Sequence, residues 1–583
     1  MLLQAGPVQA DYSDGNLRYI RIDNQEVVRM IYFAIRDREW NTLSHEISGE
    51  EIKSSANSFS VKFTSKVREN GFHFNWKVEI TGAPDGSIQF NIQGQATNSF
   101  LTNRAGLCVL HATDQFAGTP CCIEHPDGYF AHKYFPEAIS PHQPFLNIRA
   151  MEWPVGKTGR VRLDFEGDIF ETEDQRNWSD ASYKTYCTPL ELPFPKLLEK
   201  GTLINQSVRL TVTDVITLQK PLTETIRVYQ NDAYSTFPKL GLQLASSCSA
   251  RELEFVKHLK INHLRKDIFL SDERWREQLM LALEKCRLCE TRLELAVFCT
   301  AQDKNIPMFL NAITEHASAV KSILFFDAIS GLTNTEFIAN VIPNIREQLP
   351  HVELGGGTDT HFAEFNRNRM DYGVLDFISF SLTPLAHLKD DLTMIDNMQA
   401  QFDMINSARA IAPEKKVHVS PITLKPRSKA VAADNEAAKN NYDSRQTSQL
   451  AAGWTLGSIK YLAEAGADSI TYFETNGPGG IIDEANIYPV GALFQFILNW
   501  KPAEIKATSS DFPLKITSLL MLRAERKESC LLIANHTAEK QTVDLDLNAD
   551  LKYTKITFAL EQDATNELEA NILTLAPWAV VAL

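Results

Sequence analysis

Short apolar segments alternate with amphipathic helical segments between about residue 240 and residue 500, and this alternation constrains the fold more than any other feature. Near-continuous apolar strands are typical of a parallel sheet buried on both faces. Eight strand–helix pairs over about 260 residues match the size of a (β/α)8 barrel. A doubly wound sheet usually carries a glycine-rich turn after its first strand, and LGLQLASSC has none. The strand candidates begin at Leu240, Ile261, Arg292, Ser322, Val352, Leu375, Lys416 and Ala467.

The chain reads as β structure on both sides of the barrel pattern. Residues 1 to about 235 contain alternating runs such as SFSVKFTSKV and FHFNWKVEIT, separated by turn residues. Alternation returns after Trp500 in SCLLIANHT and TVDLDLNA. A chain of 583 residues exceeds what one core normally holds. We therefore predict an α/β multidomain protein with an antiparallel β-sandwich at 1–235, a (β/α)8 TIM barrel at 236–503 and a small β-sandwich at 504–583.

Charge and cysteine content narrow the classes of partner. The net charge of −15 disfavours nucleic acid as a partner. The N-terminus has no basic region followed by a long apolar run, and no window approaches the roughly 20 apolar residues of a membrane span. Nine scattered cysteines suit reduced thiols, and the pair Cys286–Cys289 lies in a helical pattern. We expect a cytoplasmic protein that binds neither membranes nor nucleic acid, and its oligomeric state stays open.

The end of the fifth predicted strand, GGGTDTHFAEFNRNR, is the richest in polar side chains. Active sites of barrel enzymes lie at the C-terminal ends of the strands. Asp359, His361 and Glu364 are therefore candidate catalytic residues, and Asn366 is a candidate substrate ligand. The same three residues could hold a divalent ion, but we expect catalysis without a metal or other cofactor. The alternative is a polar loop in which Glu364 and Asn366 cap a helix.

Two other strand ends carry charged residues. The eighth strand ends in YFETNG, where Glu474 follows two aromatic residues. A carboxylate beside aromatic walls suits a general acid or base, because its pKa is easily raised. The second strand contains Arg265 and Asp267 on one face. Arg265 is a candidate substrate ligand, and an ion pair inside the barrel is the alternative.

Strands six and seven add weaker candidates. His387 lies just past the sixth strand and either binds substrate or has a structural role. The seventh strand runs into a long polar loop that begins with Lys425 and Arg427. This loop either covers an anionic ligand, with Lys425 as a contact, or is simply solvated.

The stretch ETEDQRNWSDASYKTYCTPL departs from ordinary strand alternation. It concentrates carboxylates, an arginine and aromatic rings, a mixture that is typical of sugar-binding surfaces. Glu173, Arg176 and Tyr186 are therefore candidate substrate ligands. The alternative is a polar strap that docks the sandwich on the barrel, and the two interpretations are compatible.

Several stretches together resemble the D-apionate lactonases of bacterial apiose breakdown. They include EDQRNWSDASYKTYCTPL, NRAGLCVLH, EHPDGYF, FPEAISPHQPF, HLRKD, GGGTDTHFAEFNR and YFET. The resemblance spans the N-terminal region and the barrel. It implies hydrolysis of a sugar-acid lactone to the free aldonate, with a small-molecule sugar lactone as the partner. The chain has no GxSxG, GxxxxGK[ST], GxGxxG or HExxH motif, which disfavours serine-triad esterases and nucleotide hydrolases.

Lactone hydrolysis needs a base for water, a group that stabilises the oxyanion and an acid for the leaving alkoxide. Our hypothesis makes Glu474 or Glu364 the base, while Asp359 and His361 orient water or pass the proton. Two alternatives stay open at this point. One is a glycoside hydrolase with paired carboxylates at the barrel mouth, and the other is a carbohydrate-binding protein without activity.

Overall fold

A computed structural model describes residues 1–23, 25–69, 71–214, 225–427, 442–526, 528–547, 556–560 and 566–583. The chain divides into two compact units. The first comprises Met1–Arg176 and Ala181–Leu222, and the second comprises Asn177–Asp180 and Thr223–Leu583. None of the helices in the described ranges is long and apolar enough to cross a membrane.

The first unit is an antiparallel sandwich of an eight-stranded and a nine-stranded sheet. Its strands form because apolar residues recur at every second position: Phe59, Val61 and Phe63 are buried, and Phe63 lies opposite Val78 on the next strand. The predicted N-terminal sandwich is therefore confirmed. The eight-stranded sheet comprises Leu2–Ala5, Val8–Ser13, Asn16–Ile22, Gln25–Arg36, Arg104–Ala112, Ser182–Tyr186, Phe170–Asp174 and Phe145–Ile148. The nine-stranded sheet comprises Phe130–Tyr134, Pro120–Glu124, Ala150–Val155, Gly159–Glu166, Leu203–Thr213, Ile88–Ala96, Phe72–Gly82, Phe59–Glu69 and Glu46–Ser54.

The second unit contains a closed barrel of eight parallel strands, as the alternating pattern predicts. Each strand pairs with the next in chain order, and the eighth pairs with the first. The strands are Lys239–Gln243, His263–Phe269, Arg292–Cys299, Val320–Asp327, Glu353–Gly357, Phe377–Leu382, Lys416–Ile422 and Ser469–Glu474. The α-helices after them are Ala250–Leu259, Trp275–Leu288, Ile306–Thr314, Ile342–Gln348, Phe362–Arg367, Asp391–Asp396, Ala400–Ile411, Gln449–Glu464 and Pro489–Trp500.

A nine-stranded sheet follows the barrel within the second unit. Its strands are Phe558–Ala559, Val580–Ala582, Ser529–Asn535, Ile516–Leu522, Glu504–Ser510, Thr225–Thr236, Gln541–Asp546, Ile572–Leu575 and Glu567–Glu569. The strand Thr225–Thr236 pairs with Glu504–Ser510 and with Gln541–Asp546. Assigning this strand to the first domain, 1–235, was therefore wrong, because strand alternation alone does not reveal which sheet a strand joins.

Candidate active site

Four charged side chains meet at the carboxyl ends of the second, fifth and seventh barrel strands: Arg265, Asp267, Asp359 and Arg427. We call them the mouth cluster. Arg265 donates from Nε to Asp267 Oδ1 at 2.9 Å and from Nη2 to Asp359 Oδ1. Arg427 donates from Nη2 to Asp267 Oδ2 at 2.5 Å, and the same nitrogen lies 3.2 Å from Asp359 Oδ2. Each carboxylate therefore lies between two guanidinium groups.

The side chains of the mouth cluster differ in their exposure to solvent. The Arg265 side chain is fully buried and Asp359 is 7% exposed, whereas 19% of the Arg427 side chain is exposed. Gln243, at the end of the first strand, accepts a hydrogen bond from Arg427 Nη1 at 2.9 Å. Arg265 thus supports the cluster from inside the barrel, and Arg427 forms its outer surface.

A buried hydrogen-bonded chain holds Arg265 from below. Arg265 Nη1 donates to Ser420 Oγ at 3.1 Å, and Ser420 Oγ donates to Glu294 Oε1 at 2.7 Å. Glu294 also accepts from Ser322 Oγ at 3.2 Å. Burial raises the pKa of Glu294, but the charges of Lys321, His418 and Arg265 outweigh it, and the net pKa is lowered. Glu294 is therefore a buried carboxylate that fixes the serine under the arginine.

The two aspartates of the cluster differ in their electrostatic surroundings. Burial raises the pKa of Asp359, and the two arginines offset this only in part. Burial acts in the same direction on Asp267, but Arg265 and Arg427 outweigh it and the pKa of Asp267 is lowered. Asp267 is thus the fixed anion of the cluster, whereas Asp359 is the member whose proton affinity is enhanced.

Glu474 lies beside the cluster at the end of the eighth strand. The register between the first and eighth strands shifts there, so that Leu242 pairs with Tyr472 and Gln243 pairs with Glu474. Phe473, between them, has a φ of 31°. Such a bulge re-aims the side chain that follows it and is common next to active sites. The Glu474 side chain reaches solvent. Desolvation by the surrounding protein raises its pKa, and the charges of Arg427 and Lys266, which lower the pKa, offset this only in part.

The three glycines of the fifth strand let the neighbouring strand approach closely. A Cβ on Gly357, which has a φ of 140°, would lie 2.1 Å from the carbonyl oxygen of Ser379 on the sixth strand. No other residue fits this position without moving the strand. The glycines therefore fix the backbone from which Asp359 reaches the cluster.

The other candidates of the fifth strand lie on or next to the helix Phe362–Arg367. His361 precedes this helix, and its carbonyl accepts the Glu364 N–H at 3.2 Å. Glu364 Oε2 is buried and makes no hydrogen bond to any residue that the structure describes. Asn366 donates from Nδ2 to Asn177 Oδ1 at 3.0 Å, and the guanidinium of Arg367 lies 5.0 Å from the centre of the Trp178 ring.

The segment Asn177–Asp180 belongs to the barrel unit although its neighbours in sequence belong to the sandwich. Asp180 Oδ2 lies 2.6 Å from His387 Nδ1, and Asp180 Oδ1 accepts from Asn397 Nδ2 at 3.0 Å. The Trp178 ring meets the His387 ring edge-on at 5.6 Å. His387 and Asn366 thus both contact one short segment, and none of the residues of that segment was predicted as a site residue from the sequence.

The remaining candidates have local partners. Within the first unit, Arg176 is fully buried against Asp174, with Nη2–Oδ2 at 2.7 Å, and Glu173 pairs with Lys184. Tyr186 donates to Glu171 Oε1 at 2.5 Å. In the second unit, Lys425 is half-buried. Burial raises the pKa of Asp443, but its hydrogen bonds with Arg445 and, less strongly, the charge of Lys425 lower it overall.

Two of the four cluster residues, Arg265 and Asp359, are among the site residues predicted from the sequence. Asp267 and Arg427 were named there only as neighbours of candidates, and Gln243, Ser420 and Glu294 were not predicted. Their shared signal is a polar side chain in the interior of an otherwise apolar barrel strand. Among the residues that the structure describes, no group of three or more His, Cys, Asp or Glu side chains is arranged to hold a metal ion.

A closed parallel barrel with an acid–base cluster at its strand ends is the arrangement of a (β/α)8-barrel enzyme. The family model described as D-apionate lactonase, N-terminal domain, matches residues 1–215, and the model for the TIM barrel domain of the same family matches residues 242–502. The chain belongs to the D-apionate lactonase family, and it is a lactonase.

Similar proteins support this assignment. A curated D-apionate lactonase from Brucella anthropi is 29% identical over 514 residues, which cover 82% of this chain and 83% of that protein. Solved structures that the chain resembles include a family 30 subfamily 8 xylanase from Clostridium acetobutylicum (8% identity, TM-score 0.42, 62% of this chain and 99% of that one). A family 44 xyloglucanase from Paenibacillus polymyxa is also similar (8%, TM-score 0.44, 62% and 99%). These structural likenesses are too weak to bear on function.

Proposed function

We propose that this lactonase hydrolyses a sugar-acid lactone of the D-apionolactone type to the free aldonate. The observation that carries the proposal is the position of Glu474, a carboxylate with a raised pKa, beside the two arginines and two aspartates of the mouth cluster. The name of the Brucella relative supports the choice of sugar acid.

In the proposed mechanism Glu474 is the general base. Its ionised carboxylate takes a proton from water as the water oxygen attacks the lactone carbonyl carbon. A raised pKa makes the carboxylate a stronger base than an ordinary glutamate, provided that the pH is high enough to keep it ionised. When the ring C–O bond breaks, the protonated Glu474 returns the proton to the leaving alkoxide, and the product is the hydroxy acid.

Arg427 is the proposed oxyanion ligand. It is the more accessible arginine of the cluster, and its Nη1 and Nη2 are held by Gln243 and Asp267. A guanidinium has five N–H groups, so this geometry leaves donors for a carbonyl oxygen. Positive charge that is fixed before the reaction stabilises the developing oxyanion without reorganisation. Arg265 and Asp359 hold Arg427 and Asp267 in place, and Asp359 also accepts a hydrogen bond from the sugar hydroxyls.

We propose that the other candidate residues bind the substrate. His361 and His387 lie in the loops after the fifth and sixth strands, and Glu364 and Asn366 lie on the helix Phe362–Arg367. We propose that these four residues contact the sugar hydroxyls. Four further residues stay predicted substrate ligands: Glu173, Arg176, Tyr186 and Lys425. Catalysis without a metal also stays a prediction.

The decisive experiment measures proton release from D-apionolactone by the purified protein, with and without EDTA pretreatment. The rate of proton release with wild type should exceed the rate of spontaneous hydrolysis. Glu474→Gln should lower kcat by about 100-fold or more, which is the usual contribution of a general base. Glu364→Gln tests the competing base. Glu347→Gln, on an exposed helix position away from the strand ends, is the matched control and should leave kcat unchanged.

Four results would each refute a different part of the proposal. Near-normal kcat in Glu474→Gln would remove the base assignment, and a large loss in Glu364→Gln alone would transfer it. Loss of turnover after EDTA would require a metal. No turnover of any sugar lactone by wild type would refute the substrate class.

A further inference from the structure

A second concave site lies on the outer face of the second barrel strand, beside the helix Trp275–Leu288. It is a cavity of about 290 Å³. Alternate residues of a strand point to opposite faces. Lys266 therefore faces this cavity, whereas its neighbours Arg265 and Asp267 face the mouth cluster. We call the cavity the lysine pocket; the lining residues that matter here are Leu244, Ser246, Lys266, Glu277, Gln278 and Lys285.

The lysine pocket brings Lys266, Lys285 and Arg274 together, and Glu277 lies in the same lining. Lys285 is only 7% exposed, and its Nζ contacts the carbonyl oxygens of Ala245 at 3.4 Å and Ser246 at 3.2 Å. These contacts orient the ammonium group but do not neutralise it. In the described ranges neither lysine has a carboxylate oxygen within 4.0 Å. Burial lowers the pKa of Lys266, and the charges of Asp267 and Glu474 offset this only in part.

Partly buried like charges are unfavourable unless an anion accompanies them. The protein carries a net charge of −15, so its surface as a whole does not attract anions. Two lysines and an arginine that share one cavity with a single glutamate are therefore a local excess of positive charge. The lining is also mixed, because Leu244 offers an apolar surface while Ser246, Gln278 and Glu277 offer hydrogen-bonding groups.

We propose that the lysine pocket binds a small polyhydroxy carboxylate. The two ammonium groups receive the carboxylate, and the polar lining receives hydroxyl groups. Glu277 accepts hydroxyl protons but repels a second negative charge, so a singly charged sugar acid fits better than phosphate. This class is the product of the reaction proposed above, and only the choice of ligand class rests on that proposal. The fraction of protein with an occupied pocket therefore rises as product accumulates.

Calorimetric titration of the full chain with sodium gluconate at low ionic strength tests the pocket directly. Wild type should bind, and Lys266→Gln should weaken binding by about 10-fold or more, the usual effect of losing one charge-assisted hydrogen bond. Lys266→Arg should restore most of the affinity because it keeps the charge. Arg287→Gln is the matched control: it removes one positive charge from the same helix at an exposed position outside the pocket.

Each other result has one meaning. Equal gluconate affinities in Lys266→Gln and Arg287→Gln, or no binding to wild type, would overturn the lysine pocket. Tighter binding of inorganic phosphate than of gluconate would overturn the carboxylate assignment. Lactone turnover without gluconate binding refutes only this inference, whereas gluconate binding without lactone turnover refutes only the proposed function.

Discussion

Replacing Ser420 by alanine tests whether the chain from Glu294 through Ser420 to Arg265 holds the mouth cluster. The hydroxyl accepts from Arg265 Nη1 at 3.1 Å and donates to Glu294 Oε1 at 2.7 Å, and Ser420 is 1% exposed. Alanine removes both hydrogen bonds and leaves a buried guanidinium and a buried carboxylate each without one partner.

The magnitude follows from these contacts. A hydrogen bond to a charged group contributes about 1.5–3 kcal/mol, so two amount to about 3–6 kcal/mol. Glu294 keeps Ser322 and Arg265 keeps both aspartates, and alanine no longer has a hydroxyl to desolvate. We therefore expect the lower end, a loss of about 3 kcal/mol in the free energy of unfolding. Since Arg265 then loses one of the acceptors that fix its orientation, kcat should also fall by about 10-fold or more.

Ser379→Ala is the matched control. Ser379 is a fully buried serine on the adjacent sixth strand, and its hydroxyl has no hydrogen-bond partner among the described residues. Urea unfolding followed by tryptophan fluorescence compares the two variants, provided that the free energy of unfolding falls with urea concentration at the same slope in both. Ser420→Thr, which keeps a hydroxyl, should recover kcat. A difference of less than about 1 kcal/mol between Ser420→Ala and Ser379→Ala would refute the reasoning, because a single neutral hydrogen bond would account for it.

Three further predictions concern Glu474, Gly357 and Asp180. A folded-state pKa above the unfolded value favours the protonated carboxyl, so ionised Glu474 destabilises the fold as pH rises through that pKa. Glu474→Gln should therefore raise the melting temperature at pH 7 but not at pH 4, and an equal shift at both values would contradict this. Gly357→Ala should lower the free energy of unfolding by about 3 kcal/mol or more, against about 1 kcal/mol for Gly477→Ala, where φ is also positive but nothing lies within 4 Å; equal losses on urea unfolding would show that the strand gives way. Asp180→Ala should lower the stability of the barrel by about 2–4 kcal/mol, because it removes the acceptor of Asn397 and the partner of His387; an unchanged melting curve would show that the segment Asn177–Asp180 is not anchored.

The fold could be predicted from the sequence because its signals are local. Each barrel strand is an apolar run followed by a helix, and that pattern requires no knowledge of distant residues. The strand Thr225–Thr236 shows the limit of this reasoning. Its alternation indicates a strand, but its partners begin at Glu504 and Gln541, and nothing in a local window distinguishes them from the strands before it.

The sequence predicts the site residues that lie at the ends of barrel strands, because the strand ends themselves can be located from the sequence. Arg265 and Asp359 lie 94 positions apart in sequence, yet both could be selected because parallel strands bring their carboxyl ends to one edge. Ser420 and Glu294 could not be predicted, since each is a polar residue inside a mostly apolar strand and its partners lie on other strands. Asn177–Asp180 could not either, because the segment joins a unit other than that of its sequence neighbours.

The polar interior of the barrel has a reason beyond stability. Glu294, Lys321, His263 and His418 are all buried beneath the mouth cluster, where apolar side chains normally fill the layers. Burial lowers the pKa of Lys321 to about 8 and lowers the pKa values of both histidines. Well-packed apolar residues would usually be as stable or more stable in such positions. The charged interior is instead consistent with a requirement that Arg265 be held from below by Glu294 through Ser420, because an apolar layer offers a guanidinium no fixed acceptor.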